Sequence, residues 1–202
     1  MDYANSFGHI VPELVLTGAA LALLLVSAFA GDKASRLVSI LAAVALGGAG
    51  VVAGSTLVEG TSGVTAVAFG GLLSADAFAG FAKLLMYVAA IGCLMIAPGF
   101  FDHRKAMKPE YPVLVLFATV GMSIMVSATD LITLYIGLEL NSLAAYVLAS
   151  FLRNDSRSAE AGLKYFVLGA LASGILLYGM SLTYGFTGTT SFDGIRIAQE
   201  TG

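Results

Sequence analysis

The sequence predicts an all-α integral membrane protein, built as a polytopic bundle of about six transmembrane helices. Of its 202 residues, 58% are hydrophobic and 11% are charged, whereas about 25% of the residues of an ordinary globular domain are charged. The mean hydropathy is +0.90, and apolar stretches recur at the length of about 20 residues that a helix needs to cross a bilayer. These observations exclude a soluble domain.

Six stretches meet this length criterion. They cover residues 14–30, 37–58, 77–101, 112–128, 131–152 and 161–186, and are called spans one to six. No Lys or Arg precedes span one, and the polar pair Asp32 and Lys33 leads directly into span two. Span one is therefore predicted to be a transmembrane helix rather than a signal peptide. We expect residues 1–202 to form a single membrane domain.

The connections between spans carry local signals. Asp130 is placed to cap span five after a turn too short for anything but antiparallel neighbours. Ser158 and Glu160 are predicted to open span six in the same manner. The connection 59–76 is rich in Gly, Thr and Val, and predicts a short strand or hairpin.

Basic residues are distributed unevenly between the two sides. Those that follow spans one, three and five are Lys33, Arg36, Arg104, Lys105, Lys108, Arg153 and Arg157, whereas the opposite connections hold none before Arg196. This bias predicts that the three basic connections are cytoplasmic and that both chain ends lie outside. With a net charge of -3 and no basic stripe, the chain has the lipid bilayer as its partner and no nucleic acid.

Residues that hold cofactors are scarce. The only cysteine, Cys93, lies inside a span, so neither an intramolecular disulfide nor a thiolate cluster is expected. His9 and His103 are far apart, and no glycine-rich turn between a strand and a helix is present. We therefore expect no metal, no NADH site and no redox cofactor on this chain.

Glu139 is the charge near the centre of span five, at a predicted depth of about 13 Å in a core of about 30 Å. Helical geometry places Tyr135, Ser142 and Tyr146 on the same face. Charges at membrane depth are rare and usually pair, line water or carry protons. Because burial and nearby cations both change the pKa of a carboxylic acid, such a group can hold and release a proton. A static buried ion pair is the alternative.

Two lysines accompany this glutamate. Lys164 lies about 6–8 Å inside span six, about 10 Å from the level of Glu139, so a direct salt bridge is not expected. The alternative for Lys164 is an ammonium that reaches the headgroups. Lys83 lies in span three, seven residues after Asp76 and four before Tyr87 on one helical face. Lys83 and Asp76 are secondary candidates, together with Tyr135, Ser142 and Tyr146 of span five. For Lys83 there are two alternatives: an ammonium that extends to the headgroups at the membrane surface, or a local ion pair with Asp76.

At these residues the chain resembles a known family. The run YIGLELNSLAAYVLASFLRNDSRSAEAGLKYFVLGALASGILLYGMSLTYGFTGTTSF, with PELVL and SADAFAGFAKLL before it, is similar to the antiporter-like membrane subunits of NADH-quinone oxidoreductase, respiratory complex I. The residues around GLEL and EAGLKYF resemble subunit N more than its paralogues L and M. Family members have about fourteen helices built as inverted repeats, so we expect this sequence to be an N-terminal fragment.

The resemblance implies a function. Glu139 and Lys164 match positions of a hydrophilic axis that carries protons, while NADH, FMN, iron-sulfur clusters and quinone are bound by other subunits. The implied partners are other membrane-arm subunits, especially paralogue M and small membrane subunits, in a bacterial inner membrane. Two alternatives stay open: a subunit of a multi-subunit sodium/proton antiporter, and a non-transporting membrane scaffold.

Overall fold

The computed structural model describes residues 7–61, 66–102 and 107–201. Six of its helices are long and apolar enough to cross a membrane, which confirms the predicted fold class. They are α1 (Val11–Ala30), α2 (Ser35–Thr61), α3 (Ala77–Asp102), α4 (Glu110–Ser127), α5 (Leu131–Ala149) and α6 (Ser156–Thr187), and a shorter helix, α7 (Phe192–Thr201), follows them. His103, Arg104 and Lys105 of the predicted cytoplasmic connection lie outside the described residues.

Two helices, α1 and α6, begin at least three residues earlier than predicted. Helix α1 begins at Val11 because Pro12 occupies its first turn, where the missing N–H costs no hydrogen bond. Helix α6 begins at Ser156, and its cap is Asp155, whose side chain accepts a hydrogen bond of 3.0 Å from the Arg157 amide. The prediction that Ser158 and Glu160 open span six is wrong, because the carboxylate of Asp155 already satisfies the helix start.

The predicted hairpin is confirmed. Strands β1 (Ala66–Ala68) and β2 (Leu73–Ala75) pair antiparallel, and the loop between them has positive φ at Phe69, Gly70 and Gly71. The hairpin lies against the turn between α4 and α5, where Thr129 donates its amide to the Leu72 carbonyl at 3.1 Å. We call the side of the bundle that carries β1 and β2 the hairpin end, and the opposite side the basic end.

The turn between α4 and α5 also contacts the segment after α6. Asp130 caps α5 as predicted, accepting from the amides of Ile132 at 2.8 Å and Thr133 at 3.3 Å. Its second oxygen accepts from the Thr190 hydroxyl at 2.5 Å. One carboxylate therefore holds α5 and the end of α6 together.

The hydrophobic core lies between α1, α2, α3 and α4. Helix α2 contributes a stripe at helical spacing that is fully buried: Val38, Ala42, Leu46, Ala49 and Ala53. Helix α5 packs on α4, and α6 packs on α5. Most of α6 is exposed. Helices α1 to α4 thus surround the core and form what we call the four-helix package. Helices α5 and α6 are added on one side of it.

Glycines set the distance between α4 and α5. A Cβ atom added at Gly121 would lie 2.6 Å from the Gly137 carbonyl oxygen and 2.6 Å from the Asn141 amide nitrogen. Real side chains do not reach such distances from backbone atoms, so the two helices pack backbone against backbone. Small residues allow this close approach in a membrane.

We predict that Gly121→Ala destabilises the bundle by about 1–3 kcal/mol, because the added methyl group overpacks the α4–α5 contact. The matched control is Gly174→Ala on α6, where an added Cβ meets nothing within 4 Å. That change should be neutral or stabilising, since Ala is favoured over Gly in a helix by about 0.5–1 kcal/mol. Thermal unfolding of the protein in detergent measures both. Equal Tm values for the two variants would contradict the close packing.

Candidate functional site

Glu139 lies about 12 Å along α5 from Leu131, near the middle of that helix. Its side chain is half-buried. The Ser173 hydroxyl on α6 donates a hydrogen bond to Glu139 Oε1, and Ser173 Oγ shares a second hydrogen bond of 2.9 Å with the Tyr135 hydroxyl. The structure therefore joins Glu139, Ser173 and Tyr135 into one polar chain between α5 and α6, which we call the Glu139 chain.

The other predicted members of this face lie apart from the Glu139 chain. Tyr146 is buried, and its ring makes an edge contact with Tyr165 at a centroid distance of 4.8 Å. Its hydroxyl also fills the space beside Gly169, where an added Cβ would lie 2.0 Å from Tyr146 Oη. Ser142 is half-buried. Helical periodicity thus placed these residues on the same face but did not predict their contacts.

Lys164 is not in contact with Glu139. Its side chain is 70% exposed, and its ammonium pairs at 2.5 Å with Glu160, one turn nearer the basic end. This geometry agrees with an ammonium that reaches towards the bilayer surface. Among the residues that the structure describes, no cation forms an ion pair with Glu139, whose hydrogen-bond donor is a hydroxyl.

A second polar cluster lies between α1, α3 and α4. Lys83 Nζ lies 2.7 Å from Glu13 Oε1, and the Ser123 hydroxyl donates to the same oxygen at 2.6 Å. Tyr87 shares a hydrogen bond of 2.8 Å with Ser123. Lys83 is 3% exposed and Glu13 is 7% exposed. This group, the Glu13 cluster, is a desolvated ion pair held by two hydroxyls.

Both structural expectations for Lys83 are therefore wrong. Its ammonium neither reaches the surface nor pairs with Asp76, because Glu13 lies within bonding distance inside the bundle. Asp76 instead caps α3, accepting from the Ala79 amide at 2.7 Å. A carboxylate just before a helix accepts hydrogen bonds from the free amides of the first turn. These hydrogen bonds form here in place of an ion pair with a lysine one or two turns further along the helix.

Sequence reasoning missed Glu13, Ser123, Tyr87 and Ser173. Glu13 fell just outside the predicted span one, although Pro12 indicates an earlier helix start. An acidic residue in a first turn is also common for electrostatic reasons, so its burial left no mark in the sequence. The hydroxyl residues are ordinary in apolar helices, and only the packing of α1, α3 and α4 brings them together.

Metal ligands do not gather in the part of the chain that is described. No group of three or more His, Cys, Asp and Glu residues within residues 7–61, 66–102 and 107–201 could hold a metal ion.

We predict that Lys83→Met lowers stability by about 3–5 kcal/mol, because removing one partner leaves a buried charge uncompensated. The double variant Lys83→Met with Glu13→Leu should recover most of the loss, since it removes both charges. Lys108→Met is the matched control: its pair with Asp32 has side chains that are 46% and 66% exposed, so the expected change is about 0–1 kcal/mol. The Tm and the amount of folded protein in membranes measure these effects. A double variant as unstable as Lys83→Met would contradict the ion-pair explanation.

Comparison with known proteins shows which membrane proteins this chain resembles. A family model described as NADH:quinone oxidoreductase/Mrp antiporter, TM, matches residues 128–201. The chain is 71% identical over 196 residues to NADH-quinone oxidoreductase subunit N of Erythrobacter litoralis, an alignment that covers 97% of this chain and 40% of that protein. For subunit N of Rhodospirillum rubrum the identity is 49%, with 93% of this chain and 38% of that protein covered. The chain spans about 40% of the length of such relatives.

Solved structures with a similar fold come from the same kinds of membrane complex. Respiratory complex I from Thermus thermophilus contains a chain that matches with a TM-score of 0.72 and 29% identity, over 90% of this chain and 38% of that one. The Mrp complex from Dietzia matches with a TM-score of 0.75, over 96% of this chain and 39% of the other, and at 22% identity it shows a shared fold alone. Over nearly all of its length, the chain is therefore similar to about 40% of the length of subunit N of NADH-quinone oxidoreductase.

Proposed function

We propose that this chain contributes one proton route to the membrane arm of an NADH-quinone oxidoreductase, with Glu139 as the group that takes up and releases the proton. The observation that carries the proposal is the Glu139 chain. A carboxylate near the middle of α5 has a hydroxyl donor on the neighbouring helix and a second hydroxyl beyond it. Ionisable residues this deep in a membrane are costly to desolvate, so the first hypothesis for such a residue is a functional role.

The chemistry of the partners supports proton exchange at Glu139. A hydroxyl can donate to a carboxylate and can equally accept from a carboxylic acid. When Glu139 is ionised, Ser173 donates to it. When Glu139 gains a proton, its new O–H can donate to Ser173 Oγ, and Ser173 can then turn its own hydrogen to Tyr135. The hydrogen bonds of the Glu139 chain can therefore be kept in both protonation states.

The Glu13 cluster lacks this property. The ammonium of Lys83 has three donors and no acceptor, and it lies 2.7 Å from Glu13 Oε1. If Glu13 gained a proton, it would lose its negative charge, and the buried ammonium of Lys83 would be left uncompensated. Of the two glutamates, Glu139 is therefore the better candidate for a group that changes protonation state during turnover.

Lys164 is the second member of the proposed route. Its contact with Glu160 is exposed, and exposed pairs of this kind contribute little to stability. The ammonium is therefore free to exchange Glu160 for another partner at little cost. The secondary candidates Lys83, Asp76, Tyr135, Ser142 and Tyr146 stay predictions, with Tyr135 supported by its bond to Ser173.

The driving energy comes from elsewhere in the proposed assembly. Electrons pass from NADH to quinone through FMN and iron-sulfur clusters on other subunits, and other membrane-arm subunits, among them paralogue M, contact this one. Moving a proton against 100 mV requires about 2.3 kcal/mol. Rearrangement of charges along the membrane arm would supply that energy.

For orientation we propose a bacterial inner membrane, with the basic end in the cytoplasm and both chain ends on the periplasmic side. Lys108 and Asp32 pair across two connections of the basic end, which supports the assignment of those connections to one side. The rule that cytoplasmic connections are rich in Lys and Arg then gives the direction.

The two alternatives are less well supported. A sodium/proton antiporter subunit shares the fold of the Mrp complex, at 22% identity, whereas the relatives at 71% and 59% identity are subunits of NADH-quinone oxidoreductase. Co-purification with subunits that carry iron-sulfur clusters distinguishes the two assemblies. A scaffold without transport function is distinguished by the variants below.

Glu139→Gln in the assembled complex should preserve assembly, since Gln can still accept a hydrogen bond from Ser173. The ratio of protons translocated to NADH oxidised should fall, because Gln cannot carry the proton. Proton uptake by sealed vesicles, measured with NADH oxidation, checks this. Glu200→Gln is the matched control, because Glu200 is an exposed carboxylate on α7 that pairs with Arg196. A wild-type proton ratio in Glu139→Gln would remove the proposed role.

Lys164→Ala should lower the same proton ratio in part and leave assembly intact, because the side chain is exposed and its pair with Glu160 adds little stability. Lys164→Arg keeps a positive charge and serves as the rescue variant, with a higher ratio than Lys164→Ala expected. If all three proteins translocate equally, Lys164 is only a residue whose ammonium reaches the bilayer surface.

A further inference from the structure

The Glu13 cluster leaves one carboxylate oxygen unused. Lys83 and Ser123 both contact Glu13 Oε1, whereas Glu13 Oε2 is fully buried and finds no partner among the described residues. A buried carboxylate oxygen without a hydrogen bond is costly, because the charge is spread over both oxygens. Native structures rarely leave such an atom unsatisfied.

A second unsatisfied atom lies on α4. Ser127 is 4% exposed, and its hydroxyl oxygen is also buried without a partner in the described part of the chain. Ser127 is one helical turn beyond Ser123, which contacts Glu13 directly. Glu13 Oε2 on α1 and Ser127 Oγ on α4 therefore both lack a partner near the contact between these two helices.

Both residues line the same small cavity. It has a volume of about 10 Å3, and its wall includes Glu13, Lys83, Ser127, His9 and residues of the hairpin. About 10–15 Å3 of such volume is what one water molecule needs, provided that the site offers two to four polar partners. The cavity is too small for any larger ligand. The accessible wall is mainly apolar, but Glu13, Lys83 and Ser127 bring polar groups to it, as the binding of one water molecule requires.

We infer that this cavity is a binding site for a single water molecule, which donates to Glu13 Oε2 and accepts from the Ser127 hydroxyl. The water completes the hydrogen bonding of the buried ion pair and links α1 to the last turn of α4, beneath the hairpin. A cation is disfavoured there because the ammonium of Lys83 lines the same cavity. The site is separate from the Glu139 chain and does not depend on the proton route proposed above.

A high-resolution cryo-EM structure of the membrane complex that contains this chain tests the inference. The expected result is one water density about 2.5–3.0 Å from both Glu13 Oε2 and Ser127 Oγ. Three results would overturn it: a dry cavity, a density with the shorter contacts and larger ligand set of a metal ion, or a Ser127 hydroxyl that donates to a carbonyl of its own helix.

Two variants give an independent readout. Ser127→Ala should remove the water density or displace it, and should lower the Tm of the complex by a few degrees. In the background Glu13→Leu with Lys83→Met, the same change should have little effect, because the carboxylate that needs the water is gone. Ser181→Ala on α6 is the matched control and should leave the Tm unchanged. An equal loss of Tm in both backgrounds would show that Ser127 acts without the water and would refute the site.

Failure of this inference is distinguishable from failure of the proposed function. The water site is read from density and from the coupling between Ser127 and the ion pair, whereas the proton route is read from the proton ratio of Glu139→Gln. A complex can lose either property while the other is kept. Ser127→Ala is therefore expected to leave that ratio at the wild-type value when measured below its Tm.

Discussion

The structure depends on one constraint: a polar group inside the bilayer must find its hydrogen-bonding partner within the protein. At the hairpin end, Asp130 meets this constraint for the start of α5 and also accepts from Thr190. Between α1, α3 and α4, the ion pair of Glu13 and Lys83 meets it with opposite charges and the Ser123 hydroxyl. Between α5 and α6, Glu139 meets it with a hydroxyl alone.

Glu13 and Glu139 differ in their partners, and in the proposed function this difference separates a fixed ion pair from a group that exchanges protons. A carboxylate beside an ammonium is held in one charge state, and breaking the pair is strongly destabilising. A carboxylate beside hydroxyls has partners that can reverse their donor direction. The first glutamate lies in the enclosed four-helix package and the second lies between α5 and the largely exposed α6. Rigid and adaptable polar sites thus occupy different parts of the bundle.

The sequence predicted the membrane-spanning helices, the hairpin and the cap at Asp130, because these follow from apolar length, turn composition and residues close in the chain. It also placed Glu139 near mid-depth with Tyr135 on its face. It could not predict that Ser173 bonds to Glu139 or that Glu13 pairs with Lys83. Those contacts depend on the rotation and spacing of helices that pack across the bundle, and apolar spans with weak periodicity carry little information about rotation.

Glu139 forms no ion pair among the residues that the structure describes, and its hydrogen-bond donor is the Ser173 hydroxyl. An ionised group deep in a membrane requires compensation, and the Ser173 hydroxyl supplies a hydrogen bond to Glu139 but no positive charge. Lys164 pairs with Glu160 on an exposed face of α6, and the chain spans only about 40% of the relatives that it matches. In the proposed function, the compensating charge is the proton itself or the ammonium of Lys164 after it leaves Glu160. Since a hydroxyl can donate or accept, the hydrogen bond between Ser173 and Glu139 can be kept whether or not Glu139 carries a proton.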